Sequence, residues 1–246
     1  VFDLSENLVF SSRVCTAEAR SADEYAVLFD SLFCMRKVRK EAVTGAILCS
    51  VVPALTNRIT DAIRQVFGVK ALVVGKGLRT GFPIRMETPA EVGADLIANV
   101  AAVLEEFGAP SVILDFGTVT TLTVIDASRA FSGGCILPGV SASLRSMRDS
   151  AVQLPEVSLD CPAQVLGKNT ADSIRSGLIF GCAAAADGMI DRICSETGIP
   201  SEGNLVATGG LADLIVPHLS HTVTRCSDLT LKGLYVLYRR NCKDGR

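Results

Sequence analysis

The segment that decides the fold is Ser111-Val112-Ile113-Leu114-Asp115-Phe116-Gly117-Thr118. Its apolar run ends at Asp115 and a glycine follows, a pattern that predicts a buried strand closing in a tight turn. A carboxylate at a strand end can hold a cation, and the N–H groups of a glycine turn can meet phosphate oxygens. The alternative interpretation is a plain β-hairpin with turn-forming Asp and Gly and β-favouring threonines.

The chain downstream of this segment continues the sheet and then becomes mainly helical. Two further apolar runs follow closely, at 120–126 and 131–137, and their spacing predicts an antiparallel meander. Later segments alternate between helical periodicity and short apolar runs. The predicted helices are 140–150, 170–197, 210–216 and 228–241, and the predicted strands are 204–208 and 222–226.

The chain upstream shows the same alternation of strands and helices. Strands are predicted at 8–15, 45–50 and 71–74, and helices at 21–39, 54–67 and 90–107. This rhythm predicts an α/β architecture. The first half resembles the second without its opening hairpin, so we expect duplicated ribonuclease-H-like (actin-like ATPase) domains, 1–108 and 109–246, facing across a cleft. The first domain is expected to lack its opening strand.

Composition excludes several classes of function. Among 246 residues, Lys and Arg number 24 against 26 Asp and Glu, so no basic footprint for nucleic acid or a membrane surface is present. Only two histidines occur, which disfavours His-centred catalysis. The nine cysteines include no CxxC pair and predict reduced thiols rather than disulfides or zinc ligands. We therefore expect a cytoplasmic protein with a small-molecule partner.

Asp95 lies near the start of an apolar helix, in the stretch Gly93-Ala94-Asp95-Leu96. A carboxylate there can accept the proton of an attacking alcohol. It can equally be a first-turn residue that stabilises the helix through the macrodipole.

Two other turns could hold polar ligands. Gly167-Lys168-Asn169-Thr170 precedes a long helix, where Asn or Thr is first an N-cap and second a site for an oxyanion or polar substrate. Ala207-Thr208-Gly209-Gly210 leads from a strand into a helix, and its glycines would let a nucleotide approach the backbone.

These blocks, taken in order over nearly the entire chain, resemble the type III pantothenate kinases. Further matching blocks are Arg20–Tyr25, Ser50–Thr56 and the stretch from Gly133-Gly134 to Pro138-Gly139. The resemblance implies ATP-dependent phosphorylation of the 4′-hydroxyl of pantothenate, the first step of coenzyme A synthesis. It also implies Mg²⁺ with the ATP, a monovalent cation (K⁺ or NH₄⁺), and a homodimer whose substrate pocket is completed across the interface.

The resemblance also implies roles for individual residues. Asp95 matches the general base. Gly93 and Ala94 fall in the pantothenate-binding segment together with Asp95 and Leu96, and Thr170 matches a substrate contact. Leu96 stands where the family usually has Arg, which removes one polar substrate contact.

On the nucleotide side, Asp115 matches the monovalent-cation ligand and Thr118 an ATP contact. Two departures from the family pattern concern other positions. Met86 stands where an aromatic residue often lines the pocket, and the family's opening Asp-x-Gly-Asn-Thr phosphate loop has no counterpart here. Val1–Asp3 matches the strand that follows that loop, so we expect a loop-bearing segment upstream of Val1.

Two alternatives to a pantothenate kinase remain open at this point. A catalytically silent paralogue could keep the fold and act as a regulatory or binding protein, an interpretation that the absent loop and Leu96 favour. An actin-like kinase for a sugar or acetate is the other, although the Gly-Ala-Asp and Gly-Lys-Asn-Thr blocks argue against it.

Overall fold

The computed structural model describes residues 1–150, 155–200 and 203–242. The helices are α1 (Ala22–Met35), α2 (Pro53–Phe67), α3 (Ala94–Glu106), α4 (Val140–Ser150), α5 (Thr170–Thr197), α6 (Ala212–Ile215) and α7 (Leu229–Cys242). The strands are β1 (Ala46–Leu48), β2 (Ala71–Val73), β3 (Ser111–Phe116), β4 (Val119–Ile125), β5 (Phe131–Pro138), β6 (Asn204–Thr208) and β7 (Thr224–Arg225).

The chain forms two compact units. The first comprises Val1–Gly81, Ala90–Ala101 and the chain from Thr230 onward, and the second comprises Phe82–Pro89 and Ala102–Leu229. These units are drawn from interleaved segments. The expected domains 1–108 and 109–246 are contiguous and stay a prediction.

The second unit is built on a five-stranded mixed sheet in the order β5-β4-β3-β6-β7. β4 is antiparallel to β3 and β5, which confirms the predicted meander, while β6 is parallel to β3 and β7. The central strand β3 is buried along its length except at Asp115. One face of the sheet packs Leu114, Phe116 and Leu122 against the long helix α5, forming a single apolar core.

The first unit contains a parallel pair of strands, β1 and β2, joined through α2. Pro53 at the first turn of α2 and left-handed Gly68 at its end delimit this helix as its sequence predicts. Helix α1 begins at a capping box, in which Ser21 and Glu24 exchange side-chain and backbone hydrogen bonds. Helices α1 and α2 pack through Tyr25, Leu55 and neighbouring apolar side chains.

The predicted strands at 8–15 and at Val1–Asp3 are wrong. An isolated bridge between Phe2 and Leu8 is the one β-contact there in the described part of the chain. The Asp3 carboxylate accepts hydrogen bonds from the backbone N–H of Ser5 and Asn7, so it closes a tight turn that folds the chain back on itself.

Three helix boundaries also differ from expectation. The helix predicted at 21–39 ends at Met35, because Lys37 adopts a left-handed conformation with φ of 55°. The helix predicted from 90 begins at Ala94, after a separate 3₁₀ turn at Pro89–Glu91. The helix predicted at 210–216 is the short α6, followed by a 3₁₀ turn at Val216–His218 that contains a proline.

Within the described ranges, each helix is too short or too polar to serve as a membrane span.

Candidate active site

Asp115 lies at the carboxyl end of the central strand of the second unit, flanked by hydroxyl residues. In the strand register it is directly opposite Thr121 on β4 and Thr208 on β6. Residues opposite one another share a face of the sheet, so the three polar side chains form one row. We call Thr121, Asp115 and Thr208 the strand-end row. Thr121 and Thr208 are 8% and 3% exposed, and Asp115 is half-buried.

The hydroxyl of Thr121 is a buried group that needs a partner. Among the described residues, its Oγ1 atom makes no hydrogen bond. An unsatisfied buried hydroxyl costs roughly 1–3 kcal/mol, so such groups in native proteins usually mark a bound water, ion or ligand. A cation held by the adjacent carboxylate would supply the missing partner.

The turn after β3 carries the second predicted residue, Thr118, which is exposed. The backbone N–H of Gly117 donates to the carbonyl of Val119 at 3.1 Å, which closes the turn between β3 and β4. The turn after β5 packs on it, because a Cβ on Gly139 would collide with the backbone carbonyls of Gly117 and Thr118. Thr118 therefore presents its hydroxyl from a turn fixed by close backbone contact.

The turn after β6 packs on the same strand end. Gly209 has φ of 98°, and a Cβ at this position would lie 2.6 Å from Asp115 Oδ1. The N–H of Leu211 donates to the carbonyl of Phe116 at 3.1 Å. Glycine is required here by both the backbone conformation and the space left by the carboxylate. The predicted β6 turn and the predicted β3 turn are thus brought together.

This arrangement fits a nucleotide phosphate and a cation. It combines one carboxylate, neighbouring hydroxyls and backbone turns without side-chain bulk, the features that phosphate oxygens and hard cations select. No group of three or more His, Cys, Asp or Glu side chains suited to a metal occurs among the described residues. Mg²⁺ commonly takes one or two carboxylates and completes its shell with phosphate oxygens and water, so a single Asp is compatible with it.

The second predicted group, Gly93–Leu96, lies in the first unit at the start of α3. The carbonyl of Gly93 accepts from the N–H of Ile97 at 3.2 Å, and Asp95 Oδ1 accepts from the N–H of Leu96 at 2.9 Å. A Cβ on Gly93 would lie 2.5 Å from Asp95 Oδ1, so glycine leaves space for the carboxylate. Asp95 and Leu96 are both half-buried.

Cys49 is a neighbour of Asp95 that sequence reasoning missed. It follows β1 and is partly buried. Burial, and secondly the charge of Asp95, raise the pKa of this thiol to about 12. The charge of Asp95 therefore acts on a thiol that burial keeps neutral. The sequence offered no signal for this proximity, because 46 residues separate the two side chains.

Helix α3 is anchored to α7 within the same unit. Thr230 Oγ1 donates to Asn99 Oδ1 at 2.7 Å, and Asn99 is 1% exposed. Gly233 lies against the backbone of Ala98, where a Cβ would clash. These contacts position α3, and the Asp95 side chain at its start, through the C-terminal helix.

Thr170 is the first residue of α5, in the second unit, and its side chain is exposed. Asn169 is the N-cap, because its Oδ1 accepts from the N–H of Asp172 at 2.8 Å. The capping interpretation is thus confirmed for Asn169, and the Thr170 hydroxyl stands beside the N-terminus of a 28-residue helix. Thr170 lies on a different element from the strand-end row.

Met86 lies in the second unit and is 37% exposed. Its segment is held by a bridge between Ile84 and Phe131 and by hydrogen bonds from the N–H of Arg85 to the Phe131 carbonyl and of Phe131 to the Pro83 carbonyl. The side chain is therefore presented from an ordered extended segment.

The fold is that of an α/β protein whose central strand ends in the strand-end row between glycine turns. Residues 1–192 match the family model described as type III pantothenate kinase. The chain is 41% identical to the type III pantothenate kinase of Exiguobacterium sp. over 97% of its own length and 92% of that protein. It is 39% identical to that of Shouchella clausii, over 98% and 94%. The chain therefore belongs to the type III pantothenate kinase family.

A solved structure shows the fold at greater distance. The crystal structure of a conserved putative Baf family transcriptional activator from Campylobacter jejuni matches with a TM-score of 0.53 at 18% identity. The match covers 83% of this chain and 87% of that one. At this identity the likeness supports the α/β architecture alone.

Proposed function

We propose that this protein phosphorylates pantothenate with ATP. The observation that carries the proposal is the strand-end row, against which the glycine turns after β3 and β6 pack. The chain also belongs to a family of pantothenate kinases. Phosphoryl transfer needs positioned phosphates, a base near the hydroxyl and positive charge, with no covalent intermediate on the protein. Asp95 is a candidate base and the glycine turns and Thr118 are candidate phosphate contacts, whereas the positive charge would come from cations bound with the nucleotide.

On the acceptor side, Asp95 is the proposed general base. Its carboxylate would take the proton of the 4′-hydroxyl as the oxygen attacks the γ-phosphorus and the bond to the β-phosphate oxygen breaks. Gly93, Ala94 and Leu96 would line the pantothenate segment, and the exposed Thr170 hydroxyl would contact the same substrate. The neutral Cys49 thiol supports the role of Asp95, because it adds no competing negative charge beside the carboxylate.

On the nucleotide side, Thr118 would contact ATP. Asp115 would hold the monovalent cation, K⁺ or NH₄⁺, with the Thr121 hydroxyl as a second oxygen ligand. A cation at this position would offset the charge of the phosphates. Mg²⁺ would accompany ATP.

We also propose the duplicated actin-like arrangement, with a boundary near residue 108. The order α1-β1-α2-β2-α3 is repeated as α5-β6-α6-β7-α7, and each copy contains a parallel strand pair joined by a helix. The repeated order supports two related halves. A homodimer and a cytoplasmic location follow from the family resemblance, and light scattering after gel filtration tests the dimer.

The function is tested by measuring ADP formation with pantothenate, glucose and acetate as acceptors, and by identifying the product by mass spectrometry. We expect ADP and phosphopantothenate in equal amounts with pantothenate alone. Phosphorylation of glucose or acetate instead would identify a different actin-like kinase. Absence of turnover with all three, in a protein that still binds ATP, would indicate the silent paralogue.

The cation site is tested separately by comparing K⁺, NH₄⁺ and Na⁺ as the added salt. Asp115→Ala should lower activity and weaken the response to K⁺ or NH₄⁺. Asp213→Ala is the matched control in the same unit, since this carboxylate is 70% exposed and pairs with Arg225. An unchanged cation response in Asp115→Ala would contradict the assignment.

A further inference from the structure

A thiol and an imidazole meet on the second unit, at residues to which no role is assigned above. Cys161 Sγ lies 3.2 Å from His218 Nε2; Cys161 is exposed and His218 is half-buried. A protonated imidazole at this distance stabilises a thiolate, and the thiolate is the nucleophilic form of cysteine. The pair is therefore a candidate reactive site.

The imidazole is held in place by its surroundings. His218 ends the 3₁₀ turn Val216–His218, whose closing bond runs from the N–H of Leu219 to the carbonyl of Val216 at 3.2 Å. The edge of the ring meets Phe180 of α5, with centroids 4.9 Å apart and planes at 81°. A turn and an aromatic neighbour thus fix the ring that faces the thiol.

The cysteine side is anchored as well. Arg175 of α5 donates to the Ser158 carbonyl at 3.2 Å and to the Ser158 hydroxyl at 3.0 Å. Arg148 donates to the carbonyl of Val157 at 2.8 Å, and Val157 is buried. Hydrogen bonds thus hold the segment before Cys161 as well as the turn that carries His218. The short distance between the sulfur and the ring nitrogen is therefore set by the packing of these segments.

The other described cysteines differ from Cys161. Burial raises the pKa of four thiols, Cys49, Cys135, Cys182 and Cys194, and Cys226 is buried too. The remaining exposed thiols are Cys15, Cys34 and Cys242. The only other histidine, His221, directs its two ring nitrogens to Asp187 and Asp191 at 2.9 and 3.1 Å. In the described ranges, Cys161 is thus the thiol with an imidazole contact.

The charged groups on the surrounding elements have their own partners. Asp160 accepts from the Ser158 hydroxyl at 2.5 Å, Arg175 pairs with Asp172 at 3.0 Å, and Asp187 is engaged with His221. The Cys161 sulfur itself contacts the His218 imidazole at 3.2 Å and the backbone carbonyl of Pro162 at 3.5 Å.

We propose that Cys161 and His218 form a reactive thiol–imidazole pair. This pair is a modification site at which small disulfides form a mixed disulfide with Cys161. The Cys161 thiol proton passes to His218, and the thiolate attacks one sulfur of the disulfide RSSR. A protein–SR bond forms, the S–S bond breaks, and the second half leaves as the thiolate RS⁻. The sulfur of Cys161 is oxidised to a mixed disulfide and the leaving sulfur is reduced to a thiolate. The disulfide RSSR is thus the oxidant, and no further reactant is needed.

The test follows the reaction of the intact protein with the aromatic disulfide 5,5′-dithiobis(2-nitrobenzoate), which releases a coloured thiolate. Mass spectrometry after sub-stoichiometric labelling locates the modified residue. We expect one fast equivalent on Cys161, lost in Cys161→Ser and kept in Cys34→Ser, the matched control on another exposed thiol. Glutathione disulfide should label the same residue.

The role of the imidazole is read from the labelling rate of Cys161 in two variants measured under one set of conditions. His218→Asn and His218→Gln should each slow the labelling of Cys161 about tenfold, because neither side chain can take up the thiol proton as an imidazole does. Circular dichroism identifies any variant that is unfolded. Equal labelling of Cys161 and Cys34, or an unchanged Cys161 rate in both folded His218 variants, would overturn the proposal. The assay needs neither ATP nor pantothenate, so its outcome is separate from the kinase assay.

Discussion

Asp115 and Thr121 are cross-strand partners on β3 and β4, and their side chains share one face of the central sheet. The carboxylate is half-buried, and the neighbouring hydroxyl is buried without a hydrogen-bond partner among the described residues. This relationship suggests that the strand end binds a cation, with the carboxylate of Asp115 and the hydroxyl of Thr121 as two of its oxygen ligands.

Thr121→Val tests that interpretation directly. Valine has nearly the shape of threonine, so removing an unsatisfied hydroxyl should change the free energy of unfolding by less than about 1 kcal/mol or increase it. Loss of one ligand should raise the K⁺ concentration for half-maximal activity about fivefold. Kinase assays across a KCl series, at constant ionic strength, measure this.

Thr120→Val is the control for that prediction, because Thr120 lies on the same strand with its side chain on the opposite face. We expect its K⁺ response to match the unmodified protein. A K⁺ response in Thr121→Val equal to that of Thr120→Val would contradict a ligand role for Thr121.

Asp95→Asn should remove nearly all turnover while leaving the fold intact. Removing a general base typically costs about a hundredfold to ten-thousandfold in kcat, since the amide cannot accept the proton. Asp61→Asn is the matched control in the same unit, because the Asp61 side chain is 48% exposed and pairs with Arg64 in its own helix at 2.5 Å. Near-normal kcat in Asp95→Asn, with unchanged thermal unfolding, would refute the assignment.

Gly209→Ala should damage both stability and activity. The φ of 98° strains any side chain, and the new methyl group would meet Asp115 Oδ1 and the Phe116 backbone. Gly198→Ala separates the two effects, because Gly198 has φ of 70° and, apart from its two chain neighbours, no heavy atom of the described residues lies within 4 Å of the place its new methyl group would take. That control should lose about 1–2 kcal/mol of stability and keep its kcat.

Chemical denaturation and ATP titration are the measurements for this glycine pair. Gly209→Ala should lose more stability than Gly198→Ala and raise the KM for ATP. Identical losses of stability with unaltered ATP kinetics would show that the close approach of the β6 turn to Asp115 has no bearing on nucleotide binding.

Cys49 predicts a loss of stability at alkaline pH. Its pKa is raised by burial and by Asp95 from 9.0 to about 12, so the unfolded chain releases this proton at a lower pH than the folded protein does. The stabilising contribution is complete below about pH 9 and is lost as pH rises toward 12. Between about pH 8 and pH 11, Tm should fall more steeply for the native sequence than for Cys49→Ala. Parallel pH curves would contradict the pKa direction.

Asp187 predicts the opposite behaviour in acid. Burial disfavours its charge, but hydrogen bonds from the His221 ring and the backbone N–H groups of Ser220 and His221 outweigh burial and lower its pKa. A lowered folded pKa gives stability that is present above about pH 4 and is lost as pH falls through the folded value. Asp187→Asn should therefore cost about 1–3 kcal/mol near pH 7, with the deficit shrinking below about pH 4.

Asp191→Asn is the control for Asp187, since it removes the contact to the other ring nitrogen from a carboxylate that is 67% exposed. Urea unfolding of both variants at neutral and acid pH should show a smaller, weakly pH-dependent effect for Asp191. A deficit in Asp187→Asn that does not change with pH would contradict the linkage.

The sequence anticipated most of the elements near the candidate site. The strand-end Asp115, its glycine turn and the meander of β3, β4 and β5 were all readable, because apolar alternation and turn residues act locally. The strand predicted at 8–15 was wrong, because no neighbouring strand pairs with it among the described residues. Hydrogen bonds to the Asp3 carboxylate instead form a tight turn just before it. The order of motifs, read against a known family, also indicated the function.

Local sequence determined where β3 ends and where α1 and α5 begin, because turn and capping preferences depend on neighbouring residues. Only tertiary structure decided which distant groups meet. The partnership of Asp115 with Thr121 and Thr208, the Cys49 thiol beside Asp95 and the Cys161–His218 contact each depend on strand register or helix packing. Register and packing are set by the burial of apolar surface over the whole unit, which no short stretch of sequence encodes.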